Sequence, residues 1–105
     1  MNPLIFGYMR VPDEMTEEEV KQRQDEMTTY AEAEGLTLAT VFFEFTNGSV
    51  SAFDELVNAL VHAESRCVVI PSYRDLALTA ALRNAMLLRL EHAANARVVS
   101  LDERA

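Results

Sequence analysis

Gly7-Tyr8-Met9-Arg10-Val11-Pro12 lies at the end of the first apolar segment of this chain. The run Leu4–Met9 is short and apolar, a pattern that predicts a buried strand. Pro12 lacks a backbone N–H, so it cannot donate a strand hydrogen bond and is predicted to end the strand pattern. The N-terminal segment therefore predicts a buried strand with a charged residue, Arg10, at its end.

Helical and strand patterns alternate beyond this strand. Thr16 followed by Glu19 is a capping-box pattern, which predicts a helix over residues 17–34 that ends at Gly35. Ser51 opens a second helix, whose apolar residues recur on one side. The other predicted elements are strands at Leu36–Phe45, Arg66–Ile70 and Arg97–Leu101, and a third helix at Leu76–Ala94.

This alternation predicts an α/β fold. Strands joined through helices form parallel βαβ units with right-handed crossovers, which place helices on both faces of the sheet. We therefore expect a three-layer domain around a mostly parallel four-stranded sheet. The sequence of 105 residues has no linker or repeat, so residues 1–105 are predicted to form one domain.

The charge of the chain argues against autonomous DNA binding. Nine Lys and Arg residues against seventeen Asp and Glu give a net charge of −8, and Lys21 is the one lysine. Binding to a DNA backbone depends on cations that displace condensed counterions, and this chain has few. We expect weak DNA binding, or none, from the chain alone.

Composition also bears on location and on metal sites. The sequence shows no signal peptide and no apolar run long enough to span a bilayer, so the prediction is a cytoplasmic chain with no membrane contact.

One cysteine, Cys67, excludes an internal disulfide and a multi-cysteine zinc site. His62 and His92 lie on different helices without neighbouring ligands, and no nucleotide-binding motif is present. We expect no metal and no cofactor.

The third predicted helix is apolar nearly all round, which indicates cover on more than one side. One set of residues is predicted to face the sheet: Leu78, Ala81, Leu82, Ala85 and Leu88. A second set is then predicted to face outward, as an interface with another chain: Leu76, Met86, Leu87 and Leu90. The alternative is a partly exposed face that is rich in good helix formers.

The stretch Gly7–Pro12 resembles the opening of the catalytic domain of the resolvase/invertase (serine recombinase) family, which is G-Y-x-R-V-S. The resemblance covers nearly the whole chain and implies the α/β fold of that domain. Four further segments follow in the family's order: Tyr30–Leu36, Asn47–Ser51 in place of an S-G-S-type loop, Val68–Leu76 in place of a strand followed by L-D-R-L, and Val98–Glu103.

The same resemblance implies a degenerate active site. The family's serine attacks a DNA phosphate that several arginines hold, whereas Pro12 stands at the serine position and has no hydroxyl. Arg10 stands at one of the family's arginine positions, and Phe53 stands at a second. The family's L-D-R-L-x-R segment corresponds to Tyr73–Leu78, in which the acid and the base are transposed and Leu78 replaces the last arginine. The residues of this vestigial recombinase site are Tyr8, Arg10, Pro12, Phe53, Arg74, Asp75 and Leu78.

Two other features could carry chemistry at the same end of the sheet. The hydroxyls of Ser49, Ser51 and Ser72 are explained by turns and helix capping, so we expect no substitute nucleophile. Parallel sheets bind ligands beyond the carboxyl ends of their strands. The residues expected around that crevice, as a possible anion site, are Arg10, Ser72 and Arg74.

These observations predict a chain that is not an enzyme. The leading hypothesis is a catalytically inactive, recombinase-like domain that acts through protein contacts, as a homodimer or paired with an active recombinase relative. The alternatives are a decayed or truncated part of a DNA strand-exchange enzyme, and a small-anion-binding α/β module. The resemblance implies that active relatives continue into a long helix and a DNA-reading helix-turn-helix unit, neither of which residues 1–105 contain.

Overall fold

The computed structural model describes residues 3–45, 50–77 and 79–103. Within these ranges the strands are β1 (Leu4–Arg10), β2 (Thr37–Glu44), β3 (Cys67–Ile70) and β4 (Arg97–Ser100). The helices are α1 (Glu17–Ala33), α2 (Ser51–Ala63) and α3 (Ala80–Ala94), and short 3-10 turns lie at Tyr73–Asp75 and Leu101–Glu103.

The described strands form one sheet in the order β2-β1-β3-β4, and every pairing is parallel. β1 is central because it pairs with β2 along its whole length and with β3 on its other side. α1 packs on one face of the sheet, and α2 and α3 pack on the other. The predicted three-layer α/β fold is confirmed.

The face under α1 is closely packed around Gly7. Met27 and Ala31 of α1 lie against Ile5 and Met9 of β1. A Cβ atom at Gly7 would lie 3.0 Å from Cγ2 of Val41 and 3.2 Å from Sδ of Met27, so glycine allows the helix to approach the sheet.

The predicted ends of α1 agree with the structure. Oγ1 of Thr16 accepts the N–H of Glu19 at 3.1 Å, as an N-cap does. Gly35 follows the last turn with φ of +71°, a left-handed conformation that glycine adopts without steric cost.

The opposite face contains most of the aromatic core. The ring of Phe53 meets the ring of Tyr8 edge-on, with centroids 5.6 Å apart. Leu56 and Leu60 of α2 pack into the same cluster, together with Leu90 of α3. The stripe predicted on α2 is therefore buried against the sheet at Phe53, Leu56, Val57 and Leu60, whereas its last member, Val61, is 49% exposed.

The third helix begins later in the chain than the sequence pattern predicts. α3 begins at Ala80, because the chain first forms the 3-10 turn Tyr73–Asp75 and Thr79 then caps the helix through the N–H of Leu82, 3.3 Å from its Oγ1. Leu76 precedes α3 and is fully buried in the core. Leu78 lies outside the described residues.

The two faces of α3 are the reverse of those predicted. Met86 and Leu90 are 4% and 0% exposed and lie in the core, and Leu87 packs against the same cluster. Leu82 and Leu88 are 45% and 52% exposed. Both sides of this helix carry leucines and alanines, so hydrophobic spacing alone does not fix which side is buried. The predicted interface through Leu76, Met86, Leu87 and Leu90 is therefore wrong, because these side chains pack within their own chain.

Candidate functional site

A cleft of about 810 Å³ opens where the parallel strands end. Arg10 ends β1 and Glu44 ends β2, and both line the cleft because the carboxyl ends of parallel strands meet at one edge of the sheet. The segment after β3 supplies Ser72, Arg74 and Asp75. The other lining residues are Val11, Pro12, Asp13, Glu14, Met15, Arg23, Phe45, Pro71 and Asp102.

Arg10 is bonded to the chain's own backbone. Its Nε and Nη2 donate to the carbonyl oxygen of Leu76 at 3.1 and 2.8 Å. Its main-chain N–H donates to Oδ1 of Asp75 at 3.0 Å. The end of β1 is thereby fastened to the turn after β3, and two donors of the Arg10 guanidinium are directed at a backbone carbonyl.

Asp75 is a partly buried acid within this turn. Burial raises the pKa of the Asp75 carboxyl, while the N–H groups of Arg10 and Ser72 and the charge of Arg23 oppose that rise. Oγ of Ser72 accepts the N–H of Arg74 at 3.2 Å, so the serine hydroxyl caps the 3-10 turn. The predicted structural role of Ser72 is confirmed.

Glu44 forms the centre of a buried polar cluster below the cleft. It is 3% exposed, and its Oε1 accepts the hydroxyl of Tyr8 at 3.1 Å and the N–H of Phe53 at 3.0 Å. Phe53 is the third residue of α2, so the carboxylate lies at the helix N-terminus, where negative charge is stabilised. Burial also raises the pKa of the Tyr8 phenol above its usual range.

Sequence reasoning missed Glu44. The signal was available, since Glu44 is the one charged residue between Leu36 and Phe45. An isolated acid at the end of an apolar strand indicates a buried hydrogen-bonded carboxylate, because an unpaired buried charge is costly.

Phe53 is part of the core and not of the cleft surface. Its side chain is 1% exposed, and the guanidinium of Arg89 lies over its ring, 5.5 Å from the centroid. Arg89 also pairs with Asp54 on α2. This contact links α2 to α3 on the side of the sheet away from α1.

Three solved structures that share this architecture are an integrase domain and two recombinases. The N-terminal catalytic domain of TP901-1 integrase matches with a TM-score of 0.78 and 18% identity, covering 95% of this chain and 78% of that one. The C-terminal catalytic domain of ISC1926 TnpA, an IS607-like serine recombinase, matches with a TM-score of 0.79 and 15% identity, covering 93% and 69%. A resolvase family site-specific recombinase from Streptococcus pneumoniae matches with a TM-score of 0.80 and 11% identity, covering 96% and 73%.

The chain has the fold of a serine recombinase catalytic domain. The resemblance based on Gly7–Pro12 is thus confirmed for the recombinase fold. Comparison of the sequence with family models and with curated proteins gives no match. Sequence identities of 11–18% establish the fold alone, so any chemistry has to be argued from the residues of the cleft.

The recombinase fold brings most of the predicted site residues together. Arg10, Pro12, Arg74 and Asp75 line the cleft, and Tyr8 and Phe53 join it from below through Glu44. Leu78 and the loop residues 46–49, including Ser49, lie outside the described residues. The predicted vestigial site is therefore a spatial cluster at the strand ends, whereas the role of each residue remains a prediction.

The possible anion site has an unfavourable charge balance. Arg10, Ser72 and Arg74 do share the cleft. Among the described lining residues, however, five carboxylate side chains stand against three arginines, a formal excess of two negative charges. This balance weakens the attraction of the cleft for phosphate or sulfate, and the anion site stays a prediction.

Other candidate chemistry has less structural support. In the described ranges no three His, Cys, Asp or Glu side chains converge to hold a metal ion. Cys67 is half-buried, and burial raises the pKa of its thiol, which disfavours the reactive thiolate. Of the helices described, none is long and apolar enough to cross a membrane.

Proposed function

We propose that this chain is a non-catalytic domain of the serine recombinase fold that acts through contacts with other protein chains, as a homodimer or paired with an active relative. One observation carries the proposal. Pro12 stands just beyond β1, where the family's motif has its serine, and neighbouring Arg10 bonds the carbonyl of Leu76. In the family's motif this strand end carries a nucleophile and a phosphate-binding cation. Here its arginine holds the end of β1 against the turn that follows β3.

The chemistry of phosphoryl transfer supports this reading. Attack on a phosphate needs a nucleophile and preorganised cations that stabilise the developing charge. Proline offers no nucleophilic oxygen, and Phe53 places an aromatic ring where the resemblance implies an arginine. Removal of a single oxyanion-type donor costs roughly a hundred- to a thousandfold in rate, so loss of the nucleophile together with cations leaves no measurable reaction.

The test is a search for a covalent protein–DNA adduct. The chain is incubated with labelled supercoiled and linear duplexes, and the products are separated on denaturing gels beside an active serine recombinase acting on its own site. We expect intact DNA and no slowly migrating adduct. An adduct attached to any residue of this chain would overturn the non-catalytic assignment, and mapping it to Ser51 or Ser72 would identify the substitute nucleophile.

A companion prediction concerns Pro12→Ser. This substitution restores a hydroxyl but leaves Arg10 bonded to Leu76 and leaves an aromatic ring at Phe53, so we expect no strand cleavage. Pro12→Ala is the matched control, since it changes the backbone in the same way without adding an oxygen. Cleavage by Pro12→Ser and not by Pro12→Ala would contradict the proposal that the cationic site is also lost.

A further inference from the structure

The charges of the cleft at the strand ends are unevenly distributed. Arg10 and Arg23 are grouped around Asp75, since the charges of both arginines oppose the rise in pKa that burial gives its carboxyl. Among the other described lining residues, one is basic, Arg74, and four are acidic. The acidic ones are Asp13, Glu14, Glu44 and Asp102. The remainder of the cleft therefore has a formal excess of three negative charges, which attracts a cation more than an anion.

The fold does not neutralise the acids at the rim of the cleft. Within the described part of the chain, Asp13, Glu14 and Asp102 form no ion pair. Asp102 accepts the hydroxyl of Ser100, whereas the side chains of Asp13 and Glu14 are exposed. These carboxylates are thus available to a cation that enters from solvent.

Glu44 provides a buried carboxylate oxygen at the bottom of the cleft. Its Oε1 accepts bonds from Tyr8 and Phe53, but its Oε2 accepts none from the residues that the structure describes. Every fully buried side-chain oxygen or nitrogen of those residues has a partner, so Oε2 is the atom that reaches the cleft. An oxygen without a donor, on a side chain whose residue is 3% exposed, indicates a ligand that brings N–H groups.

Apolar side chains line the same cleft beside these acids. Val11 and Met15 are half-buried there, and Phe45 is 66% exposed. The ring of Phe45 lies beside that of Phe43, with centroids 6.0 Å apart. An exposed aromatic ring attracts a guanidinium through its π face, and half-buried apolar side chains accommodate an aliphatic stem.

The spacing of the carboxylates determines which kind of cation fits. In the described ranges no three His, Cys, Asp or Glu side chains converge on one point, as a metal ion requires. An ammonium is a compact point charge, whereas a guanidinium carries five N–H donors in a planar fork. The guanidinium is therefore the cation that reaches carboxylates lying apart while it stacks on an aromatic ring.

From these observations we infer that the cleft binds an arginine side chain of a partner protein. Its guanidinium donates to Oε2 of Glu44, and Asp13 and Glu14 balance its charge at the rim. The inference rests on the proposed function and deepens it, because it names the site of a protein contact and the chemistry of the partner. The charge complementarity of the cleft selects an arginine-bearing segment over an acidic or uncharged one.

NMR titration of the 15N-labelled chain with N-acetyl-arginine amide tests the ligand. N-acetyl-citrulline amide is the matched control probe, because its urea group has the same shape without the charge. We expect the arginine probe to shift the backbone amides of Val11, Phe45 and Ser72, which line the cleft, and to bind at least tenfold more tightly than the citrulline probe. Equal binding of the two probes, or shifts confined to other surfaces, overturns the inference.

Charge-neutralising variants test the location. Asp13→Asn/Glu14→Gln removes two charges from the cleft, and the fold is retained because both side chains are exposed. Asp25→Asn/Glu26→Gln is the matched control, since it removes two charges from exposed side chains of α1 that lie outside the cleft. We expect at least fivefold weaker binding of the arginine probe by the cleft variant and a change of less than twofold in the control. Equal losses in both variants would show attraction by net charge alone and overturn the cleft as the site.

Glu44→Gln tests the buried contact. This substitution retains an oxygen acceptor for Tyr8 and Phe53 but removes the charge beneath the ligand, so the arginine probe should bind at least tenfold more weakly. The dispersion of the NMR spectrum shows in the same sample whether the variant is folded. Unchanged binding by a folded Glu44→Gln overturns the contact with Oε2.

These outcomes are separable from those of the adduct assay. A DNA adduct would overturn the proposed function whatever the arginine probe does. A chain that forms no adduct and does not bind the arginine probe would overturn only the arginine side chain as the occupant of the cleft. Binding of inorganic sulfate with shifts at Arg10 and Arg74, in place of the arginine probe, would overturn it in favour of the anion site predicted from the sequence.

Discussion

The Arg10 side chain links two parts of the chain that are 66 residues apart in sequence, through its bonds to the carbonyl of Leu76. The family resemblance implied that Arg10, Arg74 and Asp75 belong to one cluster, and the structure places all three at the cleft. The resemblance did not indicate where the Arg10 guanidinium points, because its direction depends on the path of the 3-10 turn Tyr73–Asp75. Glu44 was missed for a related reason: its partners come from β1 and α2, which the sequence pattern does not place side by side.

The first residue-scale prediction concerns the buried carboxylate. Glu44→Ala leaves the Tyr8 hydroxyl and the Phe53 N–H without their acceptor, so we expect a loss of about 2–4 kcal/mol in the free energy of unfolding. Glu44→Gln retains an oxygen acceptor and should lose less, and Tyr8→Phe should lose about 1 kcal/mol. Urea denaturation checks the ranking. Equal stability of Glu44→Ala and wild type would show that the cluster is not a source of stability.

The second residue-scale prediction concerns pH. Because the folded-state pKa of Asp75 is raised by burial, ionisation costs the folded chain more than the unfolded chain. The stability associated with protonated Asp75 is fully present below its unfolded pKa of about 3.9 and is lost as the pH rises through the raised value. Asp75→Asn keeps an acceptor for the Arg10 N–H without the charge.

The stability difference between Asp75→Asn and wild type isolates this single group from the other carboxylates. We expect the variant to gain on the wild type as the pH rises above about 4, with the gain accumulating until the pH passes the raised pKa and then levelling off. Urea midpoints at several pH values provide the measurement. A difference that is constant with pH, or that favours the wild type increasingly toward neutrality, would contradict a raised pKa at Asp75.

Among the elements, α3 shows most clearly what spacing can and cannot predict. The stripe of α2 is one-sided, so its burial follows from sequence alone. α3 carries apolar residues on both sides, and the choice between them is made by contacts with α2 and with the residues before the helix, such as Leu76. The predicted start of this helix at Leu76 is wrong, because a 3-10 turn comes directly before Leu76 and Thr79 caps the helix three residues after it.

The element-scale prediction compares two positions on opposite faces of α3. Met86→Ala removes a buried side chain and should cost about 2–5 kcal/mol, because it leaves a cavity against α2 and the sheet. Leu88→Ala removes an exposed side chain and should change the free energy of unfolding by less than about 0.5 kcal/mol at concentrations where the chain is monomeric. Thermal or urea denaturation distinguishes them. The reverse ranking would restore the faces predicted from the sequence.

At the scale of the whole molecule, the sheet architecture and the charge could be predicted to different degrees. Parallel βαβ units implied an α/β sheet, and the family resemblance implied its architecture, which the recombinase structures confirm. The net charge of −8 comes directly from composition. Its distribution does not, because the acidic excess of the cleft arises from residues of separate segments that the fold brings together.

The whole-molecule prediction is weak, salt-sensitive contact with DNA. An acidic chain gains little from counterion release, so fluorescence anisotropy with a labelled duplex should show binding, if any, that disappears at moderate salt. Neutralising exposed acids on α1, for example by Glu18→Gln with Asp25→Asn, should strengthen nonspecific binding if charge is the barrier. Submicromolar affinity of the wild type at physiological ionic strength would contradict this prediction and weaken the case for a protein-contact role.

The burial of Phe53 limits the substitutions that this position tolerates. An arginine here would place a charge among Tyr8, Leu56 and the sheet, where the ring fills the core. Burying an unpaired charge costs several kcal/mol, a large part of the roughly 5–15 kcal/mol by which a folded domain is stable. Sequences with arginine at this position would therefore fold poorly, so selection for stability alone keeps the aromatic ring.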